Sequence, residues 1–162
     1  TIGQCDTLVT PLQLARIYAT FANGGDLLTP TIFKRIETHD GKLIKKSKVV
    51  KVGHVPLKKE NRDAIIEGLR GAVTGGDGTA NTAFAGSPII GNVYGKTGTS
   101  EVTGKADHAL FAGVYSKDGY KVAGMVLMEN SGFGGEVAAP MLRRIFEKYD
   151  EQLATMSDED NK

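Results

Sequence analysis

Apolar and polar positions change their period several times along the chain, and each change predicts an element. Thr10-Pro11 opens the first helix: threonine suits an N-cap, and proline suits the first helical position, whose N–H would be unpaired anyway. Leu12, Ala15, Ile17, Ala19 and Phe21 give that helix a broad apolar face, and Asn23-Gly24-Gly25 stops it. Leu27 to Glu37 predicts one extended segment, with Pro30 marking an edge or irregular start. Asp40-Gly41 predicts a turn into a short strand at Leu43 and Ile44, and Val49 to Val52 another extended piece. From Lys58 to Val73 the period returns to helical, with Ile65, Ile66, Leu69 and Val73 on one side. Thr74-Gly75-Gly76-Asp77-Gly78 ends that helix, and a loop follows through Ala83 to Pro88.

The next block differs in kind. Val93 to Thr99, Ala109 to Tyr115 and Tyr120 to Glu129 read as strands, the last two joined by a turn at Asp118-Gly119. Both flanks of that turn are apolar at odd and even positions alike, which predicts an antiparallel sheet covered on both faces. Ser131 to Gly135 reads as a flexible turn, and Glu136 to Leu153 as a last helix with Val137, Met141, Leu142, Ile145, Phe146 and Tyr149 inward. The sum is an α/β fold, an antiparallel sheet flanked by helices, in one domain over 1–155 with an acidic, frayed tail at 156–162.

Composition narrows the function classes. A net charge of +1 over 162 residues argues against nucleic-acid binding. Lysines cluster between Lys42 and Lys59, as expected of a solvated edge. No apolar run approaches the roughly 20 residues a membrane-spanning helix needs. Cys5 is the only cysteine, so no disulfide can form within the chain. His39, His54 and His108 never approach a metal-ligand spacing, so they read as surface or packing residues and no metal is expected.

The chemistry lies in Tyr94-Gly95-Lys96-Thr97-Gly98-Thr99-Ser100. A phosphate-binding loop would need a glycine at position 90, which is Ile90, and a helix after the lysine, where a polar turn and a strand follow instead. The alternative is the Lys-Thr-Gly strand of serine acyl-transferases that act on D-alanyl peptides and β-lactams. An edge strand offers free backbone groups to an extended peptide. Lys96 would set a positive charge where a substrate carboxylate docks, and Thr97 and Thr99, two apart, would point their hydroxyls the same way. Gly98 has no side chain to obstruct the approach, and the Thr99 amide is placed to stabilise an oxyanion. A tripeptide alone is a weak signal, and on its own it reads more readily as an exposed strand end.

Flanking blocks make it specific. Thr1-Ile2-Gly3-Gln4, Val9 to Ala15, Ala22-Asn23-Gly24-Gly25, Gly78-Thr79-Ala80, Gly95 to Ser100 and Asp107 to Gly113 resemble, in order and spacing, the C-terminal part of a class B penicillin-binding protein, up to about Tyr149. Two positions depart from the family: Cys5 stands at a usual glycine, and Leu110 at a usual aromatic. The resemblance implies the penicillin-binding protein/β-lactamase-like transpeptidase fold and an acyl-serine mechanism that cross-links peptidoglycan stem peptides. It implies Lys96, Thr97 and Gly98 as catalytic residues and Thr99 and Ser100 as oxyanion and substrate-binding residues. It implies stem peptides and β-lactams as partners, no nucleic acid, no cofactor, and a place on the extracytoplasmic face of the cell membrane with the anchor outside this chain. A D,D-carboxypeptidase, a serine β-lactamase, a β-lactam sensor and a non-catalytic penicillin-binding module share the motif and stay open.

No serine here has a lysine three positions later, and no Ser-x-Asn is present. The chain alone is therefore expected to be inactive, one wall of a site without its nucleophile. The two-face apolarity of Ala109 to Met128 then predicts uncovered surface and self-association.

Overall fold

In a computed structural model, residues 7–159 are described. Helix α1 spans Pro11–Ala22 and opens with a reciprocal cap: Gln13 N donates to Thr10 Oγ1 (3.2 Å) and Thr10 N to Gln13 Oε1 (2.7 Å). The predicted threonine cap is present, with Gln13 as its second half.

The single extended segment expected over Leu27 to Glu37 is two strands in two different sheets. Strand β1 (Asp26–Leu28) pairs antiparallel with β4 (Lys51–His54), while β2 (Arg35–Glu37) pairs with β3 (Leu43–Lys46). Pro30 lacks a ladder donor, and the chain leaves the first sheet there. Helix α2 (Lys59–Thr74) lies where helical period predicted it. The loop expected after it contains a short helix α3 (Asn81–Phe84) and a 3-10 turn at Ile90–Asn92. These elements are too brief to set a period, and burial of Ala83, Phe84 and Ile89 holds them in place.

The main sheet has the order β5-β6-β7, with β5 Val93–Ser100, β6 His108–Lys117 and β7 Tyr120–Met128, all antiparallel. Asp118 (φ 52°) and Gly119 (φ 84°) join β6 to β7 in the left-handed backbone that a tight two-residue hairpin demands. One face of the sheet carries Val93, Phe111, Tyr115 and Val126. It packs on Phe84 of α3 and on Ala138, Ala139, Leu142 and Phe146 of α4 (Ala138–Glu159). Phe84 and Phe111 rings meet at 5.7 Å, and Tyr115 and Phe146 at 6.2 Å. On the other face, Tyr94, Val114 and Ala123 meet Tyr18 and Ala22 of α1 and Ile66 and Leu69 of α2. Two-sided cover is thus observed for the middle of β6, where Phe111 to Tyr115 are all buried.

Helix α4 runs to Glu159, beyond the predicted end at Leu153, because Ala154 to Glu159 contains neither glycine nor proline to stop it. The first four positions of the acidic stretch are therefore helical, and 160–162 lie outside the described residues. Cys5 and the block Thr1 to Gln4 lie outside them too. Among the described residues, no helix is long and apolar enough to cross a membrane.

Candidate functional site

Strand β5 pairs with β6 along one side only, and its other edge has no strand partner among the described residues. Lys96, Thr97, Gly98, Thr99 and Ser100 form the second half of that edge, opposite Ala112, Phe111, Leu110, Ala109 and His108. Strand alternation divides them. Lys96, Gly98 and Ser100 lie on the face shared with α1 and α2, and Thr97 and Thr99 on the face shared with α4.

Thr97 and Thr99 line an open cleft of about 740 Å³ with Thr79, Thr82, Phe133, Glu136 and Arg143. Thr97 Oγ1 lies 2.7 Å from Thr79 Oγ1. Lys96 is exposed, yet its Nζ curls back to within 3.3 Å of both the Thr97 carbonyl and Thr97 Oγ1. A positive charge therefore reaches the threonine side of the strand although its Cβ leaves from the other. Thr99 Oγ1 accepts from Gly134 N at 3.4 Å.

Glycines set the spacing here. An added Cβ at Gly134 would collide with the carbonyl oxygens of Leu110 and Gly98, and one at Gly135 with that of Thr79. The turn read from sequence as flexible is thus pressed against the backbone of β5 and β6, and Gly134 is buried. A Cβ at Gly98 would sit 3.3 Å from Leu110 Cβ. Glycine here relieves cross-strand crowding as well as leaving an approach open.

Behind the cleft a polar brace ties α4 to the α3 region. Arg143 Nη1 donates to the Ala83 carbonyl (2.8 Å), and Ser87 Oγ to Glu147 Oε1 (2.7 Å). At the far end of the sheet, Asp150 Oδ1 accepts from Lys117 Nζ (2.7 Å) and from Tyr115 Oη. The Lys117 ammonium, then the Tyr115 hydroxyl, hold the Asp150 carboxyl below the usual carboxylate range, while burial pushes the Tyr115 phenol up. Two of the histidines have structural partners: His54 Nδ1 meets Asp26 Oδ1 at 2.7 Å, and His108 Nδ1 accepts from Asn130 N at 2.9 Å.

All five site residues expected from sequence fall on one strand end, and the two threonines share a face as expected. Thr79, Phe133, Glu136 and Arg143 were not expected. For Thr79 a signal existed, the Gly-Thr-Ala block. The others come near the strand only through the fold.

The comparisons with known proteins agree with this geometry. The family model "Penicillin binding protein transpeptidase domain" matches residues 1–147. The peptidoglycan D,D-transpeptidase MrdA of Haemophilus influenzae is 29% identical over 171 residues, which cover 91% of this chain and 25% of that protein. Among solved structures, penicillin-binding protein A from M. tuberculosis, as a ceftriaxone acyl-enzyme complex, superposes with a TM-score of 0.77 at 29% identity, over 90% of this chain and 33% of that one. Pseudomonas aeruginosa PBP2 gives 0.71 at 30% identity, over 91% and 31%. The chain thus spans a quarter to a third of these relatives' lengths. With its Lys-Thr-Gly strand on an open sheet edge, the chain belongs to the penicillin-binding protein transpeptidase family, as part of a class B transpeptidase.

Proposed function

We propose that this chain forms the Lys-Thr-Gly wall of a peptidoglycan D,D-transpeptidase. The observation that carries the reading is the free edge of β5, where Lys96 Nζ and the Thr97 hydroxyl lie 3.3 Å apart beside an open cleft. An extended stem peptide ending in D-alanyl-D-alanine lies along that edge as an added strand. Its terminal carboxylate meets the Lys96 charge and the hydroxyls of Thr97 and Thr99. A serine outside this chain attacks the penultimate carbonyl, and the Thr99 amide stabilises the developing oxyanion. The terminal D-alanine leaves, and an amine from a second stem peptide takes the acyl group. Gly98 keeps the strand close to the substrate backbone, and Ser100 bounds the site at the strand end. β-Lactams carry a carboxylate and a reactive amide in similar relation and acylate the same serine.

The site belongs on the extracytoplasmic face of the cell membrane, where peptidoglycan is assembled, with the tether outside this chain. Fluorescent penicillin tests the reading. The product of the complete reading frame that encodes this chain takes a covalent label, and Lys96→Ala lowers its acylation rate about a hundredfold. Residues 1–162 alone take none. A complete product that takes no label, or stable stoichiometric labelling of the isolated chain, overturns it.

A further inference from the structure

We infer that Thr79 is a positioning residue for this site: its hydroxyl donates to Thr97 Oγ1 and so commits the Thr97 proton to a carboxylate oxygen of the bound ligand. The inference rests on the reading of the cleft given above and adds a specificity device to it.

A threonine hydroxyl has one proton and two lone pairs. Lys96 Nζ can only donate, and it lies 3.3 Å from Thr97 Oγ1. The two hydroxyls of Thr79 and Thr97, 2.7 Å apart, share a single proton between them. Were Thr97 the donor, its proton would be spent inside the protein, and the cleft would face a lone pair that repels a carboxylate. With Thr79 as donor, Lys96 and Thr79 occupy both lone pairs of Thr97 Oγ1. The Thr97 proton then has no use except toward a third partner, which must be an acceptor. An anionic ligand selects this second arrangement. A neutral ester at the same place gains far less from it, because hydrogen bonds to ionised acceptors are about twice as strong.

The position of Thr79 is fixed from both sides. Gly78 N donates to the Gly75 carbonyl (2.9 Å) and Ala80 N to the Ala72 carbonyl (2.9 Å), which anchors the segment to the end of α2. A Cβ on Gly78 would stand 2.6 Å from the carbonyl oxygens of Ala72 and Gly71. Across the cleft, Gly135 is pressed against the Thr79 carbonyl, and Ala80 next to it is fully buried. A backbone held this way delivers the Thr79 hydroxyl to one place, so its distance from Thr97 is built in rather than incidental.

The test measures acylation rates of the complete reading-frame product with a penicillin and with its methyl ester. The unaltered protein prefers the free acid. In Thr79→Val, which keeps the shape and removes the hydroxyl, that preference falls roughly fivefold, the worth of one neutral hydrogen bond that had oriented the Thr97 hydroxyl, and the acid rate falls more than the ester rate. Thr79→Ser restores it. In a Thr97→Val background Thr79→Val has no further effect, because the group it positions is gone. An unaltered melting temperature shows that the variants fold. Full acid preference in Thr79→Val, an equal loss of both rates, or an undiminished effect in the Thr97→Val background overturns the inference while leaving the transpeptidase reading intact. An unaltered protein that takes neither compound overturns both.

Discussion

At the scale of single residues, Asp150 shows how much one carboxylate can bind together. It joins the end of β6, through Tyr115 and Lys117, to the middle of α4. Its folded-state pKa is lowered, so its contribution is complete above the ordinary carboxylate value of about 3.9 and is lost as pH falls through the folded-state value beneath it. Tyr115 and Lys117 shift upward, so their contributions are present below about pH 10 and are lost as pH rises through their folded values. Asp150→Asn is expected to lower stability at neutral pH by roughly 1 kcal/mol and to flatten the acid limb of a melting-temperature profile below about pH 4. An acid limb as steep as that of the unaltered chain would refute this account. The site residues behave differently with respect to legibility. Lys96 to Ser100 were readable because the motif is contiguous and a strand places alternate residues on one side. The Thr79–Thr97 contact joins positions 18 apart, and no local rule brings two such residues within hydrogen-bond distance.

At the scale of elements, the parts with local signals came out where sequence placed them. The Thr10-Pro11 cap starts α1, and Asp118-Gly119 turns β6 into β7 because aspartate and glycine tolerate a positive φ there. Gly119→Ala is expected to cost about 1 kcal/mol, seen as a lower melting temperature with the sheet intact. Gly134→Ala acts differently, since its Cβ meets backbone rather than solvent. It should cost about 2–3 kcal/mol and broaden the amide resonances of Gly98 and Leu110 in an NMR spectrum. A variant indistinguishable from the parent in melt and spectrum would mean that the turn is not wedged against β5. The split of 27–37 and the pieces between Asn81 and Asn92 escaped sequence reading for a common reason. Their conformation is set by partners far along the chain, β4 for β1 and the α4 core for α3.

At the scale of the whole molecule, the sheet has an open edge on each side among the described residues, along β5 and along β7. Leu8, Leu12 and Ile17, on or just before α1, are exposed, as is much of the β2–β3 sheet. The isolated chain is therefore expected to self-associate, and light scattering at high concentration checks this: a monomer throughout would contradict it. Phe111→Ala, in the centre of the α4-facing core, should cost about 3–5 kcal/mol in a denaturant titration and leave little folded chain. Sequence alone determined the three long helices and the three strands of the main sheet, the antiparallel hairpin and the motif strand with its family, because caps, turns and contiguous motifs act over a few residues. It also determined that no serine of the chain has a lysine three positions later, since that is a matter of residue identity. Only the tertiary structure decided that β5 is an edge strand, that Lys96 reaches around to the threonine side, and that Thr79, Phe133 and Arg143 complete the cleft. Those are facts of burial and close approach between distant segments, and periodicity carries no information about which segments meet.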